Sequence, residues 1–345
     1  MVTIGTVICT YKRPQILEQC LTHWCQSECI PDQFIVVDAT PQAEKHRSQL
    51  IEKFPLLFSK PDNHYIVVEK PGLTAQRNVG LKALKTDIAC FADDDAFISR
   101  FYLLKVLEIF QGDRQKVIGG VNGVAKGQFD RRSQKYGRLV KNYFRHHYGS
   151  FVQRIHIPQC ETQLQRSTPL SPEVKEFPLI HIDRLWGANM NYRTELIYDR
   201  GFDESFQRYG LFEDVEMSVW VGKTHKLVCR LDAEIQHDDL LGQSTRPNET
   251  RYFLSSWLNS AYIIEKLFPC QESRSSHQHL FELIRLIAKV TPESFRDRKF
   301  KTLGNPQLQT QAKSYVAKIQ ACSNLESLQA TFVQLQEEIY HLEVT

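Results

Sequence analysis

Along the first hundred residues, apolar and polar positions alternate in blocks. Short β-branched and apolar runs at 2–9, 34–37, 65–69 and 88–92 are separated by stretches with a different rhythm. In those stretches apolar residues recur every three or four positions, at Ile16, Leu17, Leu21 and Trp24, then across 44–54 and 73–84. Short apolar runs bounded by turn residues predict buried strands, and the longer recurrence predicts helices. Pro14 suits the first turn of the first helix. Repeated strand–helix alternation predicts an α/β fold, a mostly parallel sheet with helices on both faces.

The pattern continues with a helix over 101–110 and a strand over 117–121, then breaks. Two further strands are expected at 226–230 and 233–237, and helices over 252–268 and 277–290. Near the end, Leu325, Leu328, Phe332, Leu335, Ile339 and Leu342 form an a/d stripe behind Ser323-x-x-Glu326, which has the form of a capping box. A stripe this short favours packing within the chain, and a homodimer is the alternative use for it. The expected division is an α/β domain over 1–245, made of 1–121, a loop excursion at 122–180 and 181–245, followed by a helical region over 246–345.

Composition narrows the class. The 345 residues are 42% apolar and 24% charged, as in ordinary globular proteins. Forty-three basic against 40 acidic residues leave a net charge of +3, too little to argue for nucleic acid as a partner. Nine scattered cysteines read as reduced thiols of a cytoplasmic protein, and Cys25 and Cys29 lack the second pair that zinc would need. Met1 leads straight into a strand, and no apolar run approaches the ~20 residues that cross a bilayer. Local charge is less even. Residues 126–154 carry eight Lys or Arg against Asp130 alone, interleaved with Tyr136, Tyr143, Phe144, Tyr148 and Phe151. Such a segment either approaches anionic lipid, as a peripheral contact at the inner face of a membrane, or is a solvated loop near the site.

The chemistry concentrates where strands end. The run at 88–92 stops in Asp93, Asp94 and Asp95, three carboxylates that repel unless a cation joins them. Mg²⁺ or Mn²⁺ would, since such ions are held by carboxylates and substrate phosphates. In open α/β sheets ligands bind beyond the carboxyl ends of strands. The first strand ends in Thr10, Tyr11 and Arg13 without a G-x-G-x-x-G, which argues against dinucleotide binding. The second ends in Asp38, a nucleobase partner or a turn aspartate. Glu213 and Asp214 precede a helix, where the plain reading is capping. His237 follows a strand, where a lone histidine is usually structural.

In order along the chain stand the Thr10-Tyr11-x-Arg13 turn, Asp38, Ala75-x-Arg77-Asn78-x-Gly80, Asp93-x-Asp95, Gly187-Ala188-Asn189-Met190, Gly201-Phe202-Asp203-Glu204, Glu213-Asp214 and His237. This set resembles the nucleotide-sugar-dependent glycosyltransferases of family 2, which have the GT-A fold, over roughly residues 2–240. The resemblance implies transfer of a sugar from a nucleoside diphosphate donor, UDP by preference, to a saccharide or lipid-linked acceptor. It implies that Thr10, Tyr11, Arg13, Asp38, Arg77, Asn78, Asp93 and Asp94 hold the nucleotide sugar. Asp95 would bind a divalent metal, Mn²⁺ or Mg²⁺, with His237 as a further ligand. Asp214, with Glu213 beside it, would be the base of an inverting reaction, and Trp186, Gly187, Ala188 and Asn189 would line the acceptor side. Two departures stand out: Asp38 is followed by Ala39 and Thr40 where many relatives have a second acid, and the arginine motif expected after Glu213-Asp214 is missing, with Arg246 the nearest substitute. The other readings are a catalytically inactive nucleotide-sugar or carbohydrate-binding protein of the same fold, and a sugar-nucleotide pyrophosphorylase, whose Gly-rich phosphate loop is absent at 10–14.

Overall fold

A computed structural model describes residues 2–125, 169–237, 248–268 and 305–342. They fall into two compact units. The basic segment 126–154, the expected helix over 277–290 and Arg246 lie outside the described residues.

The first unit comprises 2–125, 169–204 and 208–237. Its strands are β1 (Ile4–Thr10), β2 (Gln33–Asp38), β3 (His64–Val67), β4 (Ile88–Asp93), β5 (Ala96–Ile98), β6 (Ile118–Ala125), β7 (Leu179–His181), β8 (Asn189–Arg193) and β9 (Lys226–His237). The helices are α1 (Pro14–Cys25), α2 (Glu44–Lys53), α3 (Pro55–Phe58), α4 (Leu73–Ala83), α5 (Tyr102–Gly112), α6 (Pro172–Lys175), α7 (Thr194–Ile197) and α8 (Glu213–Gly222). One sheet runs β3-β2-β1-β4-β8-β6-β9-β5, with β7 also paired to β9. Pairing is parallel through β3, β2, β1 and β4 and again between β6 and β9, and antiparallel at β4/β8, β6/β8, β5/β9 and β7/β9.

Strand periodicity explains why both faces are covered. Successive side chains of a strand point to opposite sides. Ile4, Ile8, Phe34, Val36, Ile88 and Cys90 join α1 and α5 in one core, which includes Trp24, Val106 and Phe110. Val7, Cys9, Ile35, Val37, Ala89 and Phe91 join Leu81 of α4 and Met217 and Val221 of α8 in the other. α4 approaches β1 closely at Gly80, where a Cβ would stand 2.3 Å from Val7 Cγ1.

One expectation changes here. The strands read at 226–230 and 233–237 are one, β9, whose register against β6 slips between Asn122 and Val124. Leu231 and Asp232, which look like a break in the sequence, lie inside it.

The second unit holds Ser205–Gln207, α9 (Glu249–Leu267), α10 (Pro306–Gln320) and α11 (Leu325–His341). Tyr262 stacks on Phe332 with ring centroids 3.8 Å apart, and Phe206 meets both rings edge-on at 5.5 and 5.2 Å. Leu328, Phe332, Leu335 and Ile339 are thereby buried within this unit, while Leu325 is exposed. The capping box sits one residue later than Ser323-x-x-Glu326 suggested. Asn324 Oδ1 accepts from the Ser327 N–H at 2.8 Å, and the Ser327 hydroxyl accepts from the Asn324 N–H at 3.3 Å. Among the described residues no helix is long and apolar enough to cross a membrane.

Candidate active site

Register brings the strand-end residues together. Thr10 pairs with Asp38 across β1/β2, and Cys9 with Asp93 across β1/β4, so the carboxyl ends of three parallel strands lie side by side. Asp94 and Asp95 form the turn from β4 into β5. Because β5 is antiparallel to β9 with Ala96 opposite His237, the imidazole arrives next to Asp95. Asp93, Asp95 and His237 each offer a ligand atom within 4.8 Å of the others. His237 Nε2 is 3.4 Å from Asp95 Oδ1, and Trp186 stands edge-on to the imidazole with centroids 5.0 Å apart.

The three acids differ in their surroundings. Asp94 has no exposed surface; it accepts from the Thr10 hydroxyl at 2.6 Å and pairs with Arg13 Nη2 at 2.5 Å. Burial pushes its carboxyl up to about 7, against the pull of Arg13 and Thr10. Burial works the same way on Asp95, but its hydrogen bond and charge attraction to His237, followed by Arg13, outweigh it and hold Asp95 below the ordinary carboxylate range. Asp93 accepts from Arg77 Nη2 at 3.0 Å.

Arg77 is the joint between the two halves of the site. It is 2% exposed on the buried side of α4. Nη2 also donates to the Gly187 carbonyl at 3.0 Å, and Nη1 donates to Glu213 Oε1. One guanidinium therefore ties the end of β4, the 186–189 turn and the start of α8. Glu213 and Asp214 do not cap their helix: the position before them is Phe212, in the left-handed region at φ 72°, with no side-chain cap. Their carboxyl groups turn to the site instead. Asp214 Oδ2 accepts from the Gly187 N–H at 3.0 Å, and Oδ1 from the Val215 N–H at 2.9 Å. Burial pushes Glu213 up to about 8, Arg77 drawing it down only part of the way. Glu213 therefore holds its proton more tightly than an ordinary glutamate, and Asp214, half-buried, is the member of the pair with surface to offer.

Several expected ligand contacts are occupied by the scaffold. Asp38 is buried and accepts from the Tyr65 hydroxyl and the Thr40 N–H, both at 2.7 Å. Asn78 donates to Phe202 O at 2.9 Å and Glu204 Oε1 at 2.8 Å, and accepts from the Phe202 N–H at 2.7 Å. It clamps the 201–204 turn, in which Gly201 has φ 66°. Asn189, read as an acceptor-side residue, is instead fully buried in the sheet. Its Oδ1 accepts from the Gly123 N–H at 2.6 Å, Asn122 Nδ2 at 2.9 Å and the Tyr102 hydroxyl at 3.2 Å. Ala188 is buried and accepts from the Asp93 N–H at 3.3 Å, which leaves Trp186 and Gly187 at the site. Tyr11 is half-buried with Lys12 Nζ 4.9 Å from its ring centre.

Gln76 escaped sequence reading. Its amide donates to Thr10 O at 3.0 Å and Val37 O at 2.9 Å, joining the tips of β1 and β2 beneath the site. The available signal was a glutamine beside Arg77 with Gly80 and Leu81 one turn on, polar groups on an otherwise packed helix face.

Residues 6–170 match the model of the family described as Glycosyl transferase family 2. No curated protein matches the sequence. Among solved structures, residues 1–349 of TarS from S. aureus in complex with UDP-GlcNAc is similar at 14% identity and TM-score 0.50, over 98% of this chain and 92% of that one. The mannosyltransferase PcManGT from Pyrobaculum calidifontis, in complex with GDP-Man and Mn²⁺, is similar at 13% identity and TM-score 0.48, over 98% and 87%. The TarS likeness is one of fold.

Proposed function

We propose a reaction scheme for this chain, whose residues 6–170 match the model of glycosyl transferase family 2: an inverting, metal-assisted transfer of a glycosyl group from a nucleoside diphosphate sugar to an acceptor hydroxyl. The observation that carries it is the tie through Arg77, which sets Asp93 of the acid cluster and Glu213, the neighbour of Asp214, on one guanidinium. A donor held by the first faces a base in the second. The TarS complex with UDP-GlcNAc supports a nucleotide-sugar donor.

Asp93, Asp95 and His237 suit a divalent cation. Two carboxylates fit Mn²⁺ or Mg²⁺, and an imidazole in the set favours Mn²⁺, because Mg²⁺ prefers oxygen alone. Such an ion would supply Lewis-acid neutralisation of the departing diphosphate. The chain's own residues do the rest. Arg13, 18% exposed at its side chain, adds positive charge beside the phosphates. Asp214, oriented by the Gly187 N–H, takes the acceptor's proton as the acceptor oxygen bonds to the anomeric carbon. The bond from that carbon to the phosphate oxygen breaks with its electron pair leaving on the diphosphate, and the anomeric configuration inverts. Glu213, protonated and paired with Arg77, keeps a second negative charge away from Asp214.

Asp38, which accepts from Tyr65 and Thr40, can still accept one N–H through a remaining lone pair, which matches the single donor of uracil. Thermal shift with UDP, GDP and ADP, with and without Mn²⁺, tests the donor site. A ligand of the folded state at a hundredfold excess over Kd stabilises by about 2.7 kcal/mol. A metal-requiring shift for UDP is the expected outcome. Equal shifts in EDTA would remove the metal, and no shift with any nucleotide would favour a protein that kept the fold and lost the reaction.

A further inference from the structure

Arg13 stands where its charge works against a metal. It precedes α1 but makes no capping bond to it. Nη2 pairs with Asp94 Oδ1 at 2.5 Å, Nη1 donates to Asp95 Oδ2 at 2.9 Å, and the buried Nε has no hydrogen-bond partner. The two carboxylates therefore hold the guanidinium. Asp94 is anchored independently by Thr10. Asp95 is shared: one oxygen serves Arg13, and the other faces His237 Nε2 at 3.4 Å. A cation between Asp93, Asp95 and His237 would meet a fixed positive charge across a single carboxylate. A guanidinium cannot relieve that repulsion by losing its proton. It can relieve it by finding another anion, and phosphate oxygens match its fork.

We propose that Arg13 is a resident counter-cation of the acid cluster. It holds Asp94 and Asp95 in place before a metal binds, lowers the cluster's affinity for a free divalent cation, and couples metal binding to arrival of the diphosphate. This rests on the reading of Asp93, Asp95 and His237 as the metal set. The consequence is an order of preference: metal alone binds weakly, and metal with nucleotide binds strongly because Arg13 then has a phosphate to pair with. By reciprocity the nucleotide gains from the metal by the same factor.

The measurement is Mn²⁺ affinity of the full chain by electron paramagnetic resonance, without nucleotide and then with UDP, for the wild type, Arg13→Gln, Arg13→Met, Arg13→Lys and Asp95→Asn. Loss of the fixed charge in Arg13→Gln should tighten Mn²⁺ binding about tenfold or more without nucleotide, and should shrink the further gain that UDP brings. Arg13→Met, which keeps the aliphatic stem, should do the same and serves if the glutamine variant does not fold. Arg13→Lys, which keeps the charge, should stay near the wild type. Unchanged or weaker Mn²⁺ binding in both neutral variants overturns the proposal; if Asp95→Asn still abolishes binding, the metal set itself stands. If neither the wild type nor the neutral variants bind Mn²⁺, both readings fall together.

Discussion

Two groups of carboxylates meet across Arg77, and the fold surrounds them differently. At the end of β4, Asp93, Asp94 and Asp95 are surrounded by cations or cation acceptors: Arg77, Arg13 and His237. At the start of α8, Glu213 pairs with Arg77, and Asp214 accepts from the Gly187 and Val215 N–H groups. In the first group burial raises Asp93 and lifts Asp94 to about 7, and only Asp95, where His237 and Arg13 outweigh burial, is held below the ordinary carboxylate range. In the second, burial raises Glu213 to about 8, and Asp214 is the half-buried partner with surface to offer. The difference teaches that adjacent acids in a sequence have no common fate. Burial and the reach of a cation decide which stay ionised.

The strongest way to break this comparison is to remove the available carboxylate. Asp214→Asn should lower kcat by about 10²–10⁴-fold while the Kd of the nucleotide sugar is unchanged. Full activity would take the base out of α8. Cutting the joint comes next. Arg77→Met would leave Asp93 and Glu213 without their shared cation, and stripping one partner from a buried pair costs about 3–5 kcal/mol; denaturant melts would show it. A loss below about 1 kcal/mol would mean the two groups stand without Arg77.

A smaller effect acts through packing. Gly80→Ala would push α4 off Val7, at about 1–3 kcal/mol, and carry Arg77 away from Asp93. A variant as stable and active as the wild type would show that the contact yields easily. A pH dependence sharpens the contrast itself. Glu213 is raised to about 8 from 4.5, so between those values the folded chain binds a proton that the unfolded chain does not. Stability should then fall as pH rises from 4.5 to about 8 and level off above. Glu213→Gln should match the wild type in stability below pH 4.5, exceed it at neutral pH and lack that slope; an unchanged slope would place the titration elsewhere.

Much of the donor half was legible in the chain. β1, β2 and β4 are buried on both sides, so their apolar runs are unbroken, and the acids terminating them stand out. The 12-residue β9 was read as two strands because the charged Arg230 and Asp232 interrupt the apolar pattern where the sheet slips register. Roles of polar side chains were less legible. Asn78 and Asn189 have residue types suited to binding sugars, yet each is surrounded by backbone groups that need its amide. Tyr65 saturates much of Asp38 from a neighbouring strand, a pairing invisible to local reading.

The sequence by itself determined most of the strands and helices of residues 2–121, and that three acids end a buried strand, since both follow from local periodicity and its interruption. Only the tertiary structure decided which groups those acids meet. His237 reaches Asp95 through the pairing of β5 with β9, Arg77 reaches both Asp93 and Glu213 from α4, and Arg13 folds back onto Asp94 and Asp95. Charge interactions act through space over a few Å, between residues far apart in the chain, so no spacing along the sequence encodes them.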